Sequence, residues 1–250
     1  MTRPPSPASI EAEEVRSGRT GPHYARVLIR LLCAHALAEK LTARGYERAL
    51  VLIQDPDLRP VLEKNAAEER RHAALLYGAL AELGMSEAAA DRSLVALLKA
   101  PSFEAPRHFA ERSCDELDLA MASLSLDMTG MIMIGVNYRD SSYAPHARAA
   151  QAILDEEAEH GMFAMERVAA AVECGGRERV NAALREWLPR AVNFFGPPGT
   201  GFTYDCLRFG LKAKDNGELS ELYLAMVGRR LQQLGLTMPK LTAEYPHAAL

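Results

Sequence analysis

Two Glu-x-x-His motifs lie in long segments of the chain that have helical periodicity. They run from Glu69 to His72 and from Glu157 to His160. Residues three apart share one face of a helix, so each motif can direct a carboxylate and an imidazole toward one metal ion. One such motif is weak evidence, because glutamate is common in helices. Two motifs on two long helices indicate a metal site between those helices.

An acidic residue lies 30 positions before the glutamate of each motif. Glu39 precedes Glu69 in this way, and Asp127 precedes Glu157. At a rise of ~1.5 Å per residue, about this separation brings two groups level across an antiparallel pair of helices. The spacing therefore predicts one site with six metal ligands: Glu39, Glu69, His72, Asp127, Glu157 and His160. The alternative is that these are charges on helix surfaces without a common role.

Apolar residues recur at helical spacing along most of the chain, and few segments alternate as strands do. The pattern predicts long helices over residues 24–54, 60–83, 108–138 and 145–172, and shorter ones over 87–99 and 177–190, with two more ending near Leu234. This order predicts an all-α fold, a ferritin-like four-helix bundle with additional C-terminal helices. Residues 1–20 are predicted to be a disordered leader, 21–240 a ferritin-like di-iron domain and 241–250 a C-terminal tail.

Composition limits the partners and the compartment. The net charge of −4 argues against general attraction to nucleic acid, so no nucleic-acid partner is expected. No apolar stretch is predicted to reach the ~20 residues of a membrane span, so no membrane partner is expected either. Four scattered cysteines without a Cys-x-x-Cys pair favour a reduced, cytoplasmic location.

Four residues near the predicted ligands are candidates for supporting roles. His35 lies one turn before Glu39 and is either a hydrogen-bond donor to that ligand or a core histidine. Asn65 lies one turn before Glu69 and is predicted to hydrogen-bond a ligand. Gly130 and Met131 follow Asp127 by about one turn and are predicted to line a pocket for oxygen or substrate, although helix packing explains them equally well.

Other charged residues near these segments are interpreted as surface groups. Glu68, Glu156 and Glu159 adjoin the motifs and are expected to face solvent or form salt bridges. The basic residues Arg208, Lys212 and Lys214 are either an anion-binding group or, as is more common, the exposed basic face of a helix.

The chain resembles the catalytic subunits of phenylacetyl-CoA epoxidases, a family of ferritin-like di-iron oxygenases. The residues that carry the resemblance are Asp57-Leu58-Arg59-Pro60, Glu68-Glu69 with His72, Leu126-Asp127, Ser142-Tyr143-Ala144-Pro145, Glu156-Glu157 with His160, Trp187 with Pro189, Phe195-Gly196-Pro197, Arg208-Phe209-Gly210 and Asn216. Together these stretches span most of the chain.

The resemblance implies a role for each predicted ligand. Glu39, Glu69 and His72 would bind one iron ion, and Asp127, Glu157 and His160 the other, with some carboxylates shared. Manganese is the alternative metal. The family delivers one oxygen atom from O2 to an organic substrate, and its catalytic subunit works with a second ferritin-like subunit and an electron-donating reductase.

These observations lead to one preferred function and two alternatives. The preferred hypothesis is an O2-dependent di-iron monooxygenase that epoxidises or hydroxylates a small organic molecule, with a CoA thioester as one candidate. The first alternative is a non-catalytic ferritin-like metal-binding or scaffold subunit of a multicomponent complex. The second is a di-iron hydroxylase that modifies tRNA. The expected partners are the small substrate, O2, a reductase, and either a second copy of the chain or a second ferritin-like subunit.

Overall fold

A computed structural model describes residues 5–95, 97–112 and 115–241. Within these ranges the chain forms helices and no β-strand, apart from one isolated bridge between Ile10 and Tyr143. The helices are α1 (Ala12–Arg16), α2 (Gly21–Leu52), α3 (Arg59–Glu82), α4 (Glu87–Leu94), α5 (Glu104–Arg112), α6 (Glu116–Ile132), α7 (Ala144–Glu173), α8 (Arg177–Phe194), α9 (Gly201–Arg208) and α10 (Asn216–Gln233). The all-α prediction is confirmed.

Two helical hairpins form the centre of the fold. Helix α2 packs along α3, and α6 packs along α7, while α3 and α7 join the two hairpins. Each of these long helices buries an apolar face in one shared core, which includes Leu32, Leu76 and Ile153. Outside the bundle, α5 packs on α2, and α8 packs on α6 and α5. The last two helices pack on the same elements: α9 contacts α2, and α10 contacts α6 and α8. This is the predicted ferritin-like four-helix bundle with additional C-terminal helices.

The third predicted helix, over residues 108–138, is divided in the structure. Helix α5 ends at Arg112, and α6 begins after Asp115, whose carboxylate accepts a hydrogen bond from Asp118 N at 2.9 Å. An aspartate at this position caps a new helix, which is why the periodic pattern does not continue as one helix. A π-helical segment, Met133–Tyr138, then extends α6 to the loop before α7.

The segment Glu116–Tyr138 is long and apolar enough to cross a membrane by composition, with a mean hydropathy of 1.6. The expectation that no stretch has this length was therefore wrong. In the structure 78% of its most apolar window is buried inside the protein. The segment is an interior helix of the bundle, which is apolar because neighbouring helices surround it.

Residues 5–20, predicted to be a disordered leader, pack on the bundle. Ile10, Ala12 and Val15 are buried. Ala8 N donates to Ser141 O at 2.8 Å, and Ile10 N donates to Ser142 O at 2.9 Å. These apolar and backbone contacts fix the segment against the loop before α7. The predicted tail beyond Leu241 lies outside the described residues, as do residues 1–4.

Candidate metal centre

The structure brings all six predicted ligands together in the middle of the bundle. Glu39 comes from α2, Asp127 from α6, and the two motifs from α3 and α7; all six side chains are buried. Their ligand atoms form two overlapping groups, in each of which the atoms lie within 4.8 Å of one another. One group is Glu39, Glu69, His72 and Glu157; the other is Glu69, Asp127, Glu157 and His160. Glu69 and Glu157 belong to both groups, as carboxylates between two ions would.

The two histidines present the same ring nitrogen to this centre. His72 Nδ1 lies 3.6 Å from Glu39 Oε2 and 3.6 Å from Glu157 Oε1. His160 Nδ1 lies 3.4 Å from Glu69 Oε1. Each imidazole therefore directs one nitrogen at the carboxylates and leaves Nε2 for a contact outside the cluster. Such an arrangement fixes which nitrogen is available to a metal.

Several polar atoms at the centre have no hydrogen-bond partner among the described residues. They are both carboxylate oxygens of Glu69 and the Nδ1 atoms of His72 and His160. Buried polar atoms are nearly always paired, because an unpaired one loses its hydration without compensation. A cation in contact with these atoms satisfies them together. Oxygen and imidazole ligands of this kind suit iron or manganese, so the residues present fit a metal site.

Burial and the neighbouring charged groups shift the pKa values of the acids in the cluster. Burial, reinforced by the nearby carboxylates of Glu69 and Asp127, raises the pKa of Glu157. Burial also raises the pKa of Asp127 to about 7. Burial acts in the same direction on Glu39, but the contact with His35 and the nearby imidazole of His72 outweigh it and lower the pKa of that carboxyl. When all four carboxylates are ionised they outnumber the two histidines, so a bound cation favours the charged forms of these acids.

Two acids outside the cluster hold the outer nitrogens of the histidines. Glu156 Oε2 lies 2.8 Å from His72 Nε2, and Glu68 Oε2 lies 2.9 Å from His160 Nε2. Each acid therefore reaches from one motif helix to the histidine of the other. These glutamates were expected to face solvent or to form salt bridges, and both do form salt bridges, Glu156 with Arg71 and Glu68 with Lys64. Their contacts with the histidines of the cluster were not expected. Glu159 is exposed and pairs with Lys64, as expected.

Asp127 is fixed by two residues that the sequence did not indicate. The hydroxyl groups of Ser123 and Tyr46 both donate to Asp127 Oδ2, the second at 3.4 Å. Tyr46 OH and Ser123 Oγ are also 3.0 Å apart. Ser123 lies one turn before Asp127 in α6, so helical spacing is the signal that would have found it. The contacts occupy one carboxylate oxygen and leave the other for the cluster.

His35 contacts a predicted ligand, whereas Asn65 does not. His35 Nε2 lies 2.9 Å from Glu39 Oε1, and its Nδ1 lies 3.1 Å from His146 Nε2. His146 is fully buried and was not singled out from the sequence. Asn65 is buried, but its Nδ2 makes no hydrogen bond to any described residue. The predicted hydrogen bond from Asn65 to a ligand is therefore not formed in this structure.

A cavity of about 400 Å³ adjoins the cluster at Glu39 and His35. Gly130 lines it, and a Cβ atom at this position would lie 3.3 Å from Glu157 Oε2. The glycine therefore allows α6 to approach the cluster closely. Met131 does not line the cavity; it packs toward Gly161 of α7. Of the two residues predicted to line a pocket, Gly130 lies in the wall of this cavity and Met131 does not, since successive helical residues face different directions.

Comparison with known proteins agrees with the resemblance. The sequence profile of a family described as phenylacetic acid catabolic protein matches residues 22–247. The chain belongs to this family. The matched range includes every residue of the six-ligand cluster and the cavity beside it. No curated protein matches the sequence at a significant level.

A solved structure of similar fold extends this comparison. It is protein 19 from Synechococcus, which has aldehyde deformylating oxidase activity. The TM-score is 0.68 at 19% sequence identity, and the alignment covers 87% of this chain and 94% of that one. At this identity the likeness shows that the two chains share a helical fold over nearly their full length.

Replacing one of the two glutamates that contact the histidine Nε2 atoms should weaken metal binding without unfolding the protein. We expect Glu68→Gln to lower iron affinity by about 10- to 100-fold, because the amide orients His160 less firmly than the carboxylate does. Glu63→Gln is the matched control, since Glu63 lies on the same helix, is exposed and pairs with Arg59. Competition with a chelator measures the affinities. Equal iron affinity in the two variants would show that Glu68 does not support the site.

Metal should stabilise the protein more as the pH rises. Without metal, burial raises the pKa of Asp127 to about 7. Burial lowers the pKa values of His72 and His160, but nearby carboxylates outweigh it and raise them to about 11 and about 9. These protons must leave before the groups bind a metal. The raised pKa of Asp127 stabilises the metal-free fold at low pH, and this contribution is lost as the pH rises through about 7. The increase in Tm caused by ferrous ion, measured anaerobically, should be larger at pH 8 than at pH 6. An increase independent of pH would contradict these protonation states.

Proposed function

We propose that this chain is an O2-dependent di-iron monooxygenase that acts on a small organic molecule held in the cavity beside Glu39. The observation that carries the proposal is the pair of overlapping carboxylate and histidine groups next to a cavity of substrate size. Membership in the family supports it. A bound iron pair, reduced by an external electron donor, would supply the two electrons that activate O2, so that one oxygen atom enters the substrate and the other leaves as water.

Different members of the cluster would hold each of the two ions. Glu39 and His72 would hold one ion and Asp127 and His160 the other, while Glu69 and Glu157, which belong to both groups, would be available to both ions. Glu156 and Glu68 hold the histidine rings with Nδ1 inward. Ser123 and Tyr46 orient Asp127. These contacts hold the candidate ligands in place from outside the cluster, so little reorganisation would be needed when the ions enter.

The cavity would hold the substrate and exclude water. Its walls include the aromatic side chains of Phe103, Phe194 and Phe195, and it opens toward Glu39 at one end. Apolar walls place a bound molecule against the cluster and remove bulk water from the reacting atoms. A metal-storage or scaffold subunit has no need for such a cavity, which favours the enzyme over that alternative. No described feature specifically favours a tRNA substrate.

Iron content and oxygen uptake test the proposal together. Protein expressed with ample iron should contain two iron ions per chain, and the chemically reduced protein should consume O2 in a single turnover. A Gly130→Leu variant should narrow the cavity beside Glu39 and crowd Glu157, so it should reduce product formation from added substrates. A wild-type protein that takes up no iron under these conditions, or that holds iron without consuming O2 when reduced, would overturn the proposal.

A further inference from the structure

Lys212 is a buried cation in the wall of the cavity that adjoins the metal cluster. It lies in the loop between α9 and α10, and only 6% of the residue is exposed. Its Nζ donates to Asn216 Oδ1 at 2.7 Å, and no described carboxylate forms a salt bridge with it. Of the two alternatives given for Lys212, an anion-binding group or an exposed basic helix face, its burial rules out the second. A buried ammonium group without a carboxylate partner is unusual, because its hydration is lost without an opposite charge in return.

The loop around Lys212 holds the side chain in place. Asn216 Nδ2 donates to Pro197 O at 3.1 Å, and Gly196 before this proline has a φ of 78°, a conformation that favours glycine. On the other side, Ala213 N and Lys214 N both donate to Asn137 Oδ1, at 3.0 and 2.8 Å. The lysine therefore belongs to a rigid structure that joins the loop, α10 and the π-helical segment.

Asp215, the acid in this loop, already accepts two hydrogen bonds from backbone N–H groups. Asp215 Oδ1 accepts from Gly217 N at 2.8 Å, and Asp215 Oδ2 accepts from Gly199 N at 2.9 Å. Its carboxylate thus caps α10 and fixes the preceding loop. Burial lowers the pKa of Lys212 from its usual range. An anion inside the cavity would remove the cost of keeping this lysine charged.

The remaining charges of the cavity also favour an anion. Arg30 lies at its exposed side, with the guanidinium 4.3 Å from the centre of the Phe202 ring. One acidic residue, Glu39, is among the described residues that line the cavity, and it belongs to the candidate metal cluster. Apart from His35, which contacts Glu39, the other described residues of the wall carry no ionisable carboxylate, lysine or arginine and are largely apolar. A ligand that fits this surface has an apolar body and one negatively charged end.

We propose that Lys212 binds the carboxylate of a small organic acid whose apolar body extends through the cavity toward Glu39. The substrate class is then a free carboxylic acid of modest size, since a volume of about 400 Å³ is near the lower limit for small-molecule sites. The inference rests on the proposed function only in taking this cavity as the substrate site.

Binding of a matched pair of probes tests the inference. We would titrate 3-phenylpropanoate and its neutral amide into iron-loaded protein under anaerobic conditions and follow binding by calorimetry. The acid should bind at least about tenfold more tightly than the amide, because only the acid pairs with the buried ammonium. Lys212→Met should abolish this preference by weakening the acid alone. Lys214→Met is the control, since Lys214 is partly exposed and pairs with Glu218 at 2.8 Å.

The outcomes separate this inference from the proposed function. If the amide binds wild-type protein as tightly as the acid does, or if Lys212→Met keeps the preference, the inference is wrong. The wild-type comparison decides the matter even when the Lys212 variant does not fold. Iron content and oxygen uptake are measured on the same samples. Selective binding of the acid without oxygen uptake would overturn the proposed enzyme and leave the anion site standing.

Discussion

A Glu157→Gln variant is expected to fold normally and to contain almost no iron. Glu157 belongs to both groups of candidate ligands, so its loss affects both ions. An amide oxygen is a poorer ligand than a carboxylate and carries no charge to offset the cation. In the metal-free protein burial and the neighbouring carboxylates raise the pKa of Glu157, so the fold disfavours its charge. The metal-free variant should therefore melt at or above the temperature of the metal-free wild type.

The matched control for this variant is Glu159→Gln. The two residues lie two positions apart on α7, but Glu159 is exposed and pairs with Lys64. The substitution is chemically identical, so any effect of expression or of net charge appears in both proteins. Iron per chain is measured by elemental analysis after reconstitution. If the two variants retained the same amount of iron, Glu157 would not be a ligand.

Replacing Gly45 with alanine should strongly destabilise the fold. A Cβ atom at this position in α2 would lie 2.2 to 2.5 Å from atoms of the Phe109 ring, which is itself fully buried. A rigid ring in a packed core cannot move away cheaply, and overpacking of this kind costs about 3 kcal/mol. The free energy of unfolding from chemical denaturation gives the measurement. The contact also joins α5 to the bundle, so near-UV circular dichroism should change.

Gly78 provides the comparison, because it is a helical glycine without a close neighbour. A Cβ atom at Gly78 in α3 would meet no atom within 4 Å. Gly78→Ala should therefore stabilise the protein by about 0.5–1 kcal/mol, since alanine restricts the unfolded chain and favours helix. If Gly45→Ala were tolerated as well as Gly78→Ala, helix α5 would not pack on α2 as described.

The candidate site could be predicted from sequence because its ligands obey two local rules. Spacing of three within a helix and of 30 across a hairpin placed Glu39 level with Glu69 and Asp127 level with Glu157. Both rules follow from the rise and the period of the α-helix. The long helices were predicted from the same period, and α2, α3 and α7 differ from the expected bounds by only a few residues.

Residues that act across the bundle could not be predicted in this way. Glu156 contacts His72, and Glu68 contacts His160, from positions more than 80 residues away. No helical period relates residues on separate helices, so adjacent glutamates were interpreted as surface groups. Lys212 is a similar case. Its burial depends on packing of the loop between α9 and α10 against the π-helical segment, which composition does not reveal.

The most direct test of the central claim is anomalous X-ray diffraction at the iron absorption edge from crystals of iron-loaded protein. Two peaks are expected per chain, one beside His72 Nδ1 and Glu39 and the other beside His160 Nδ1 and Asp127, with Glu69 and Glu157 between them. A chain that shows no peak in this cluster, or that binds its iron elsewhere, would contradict the assignment of these six residues as a di-iron site.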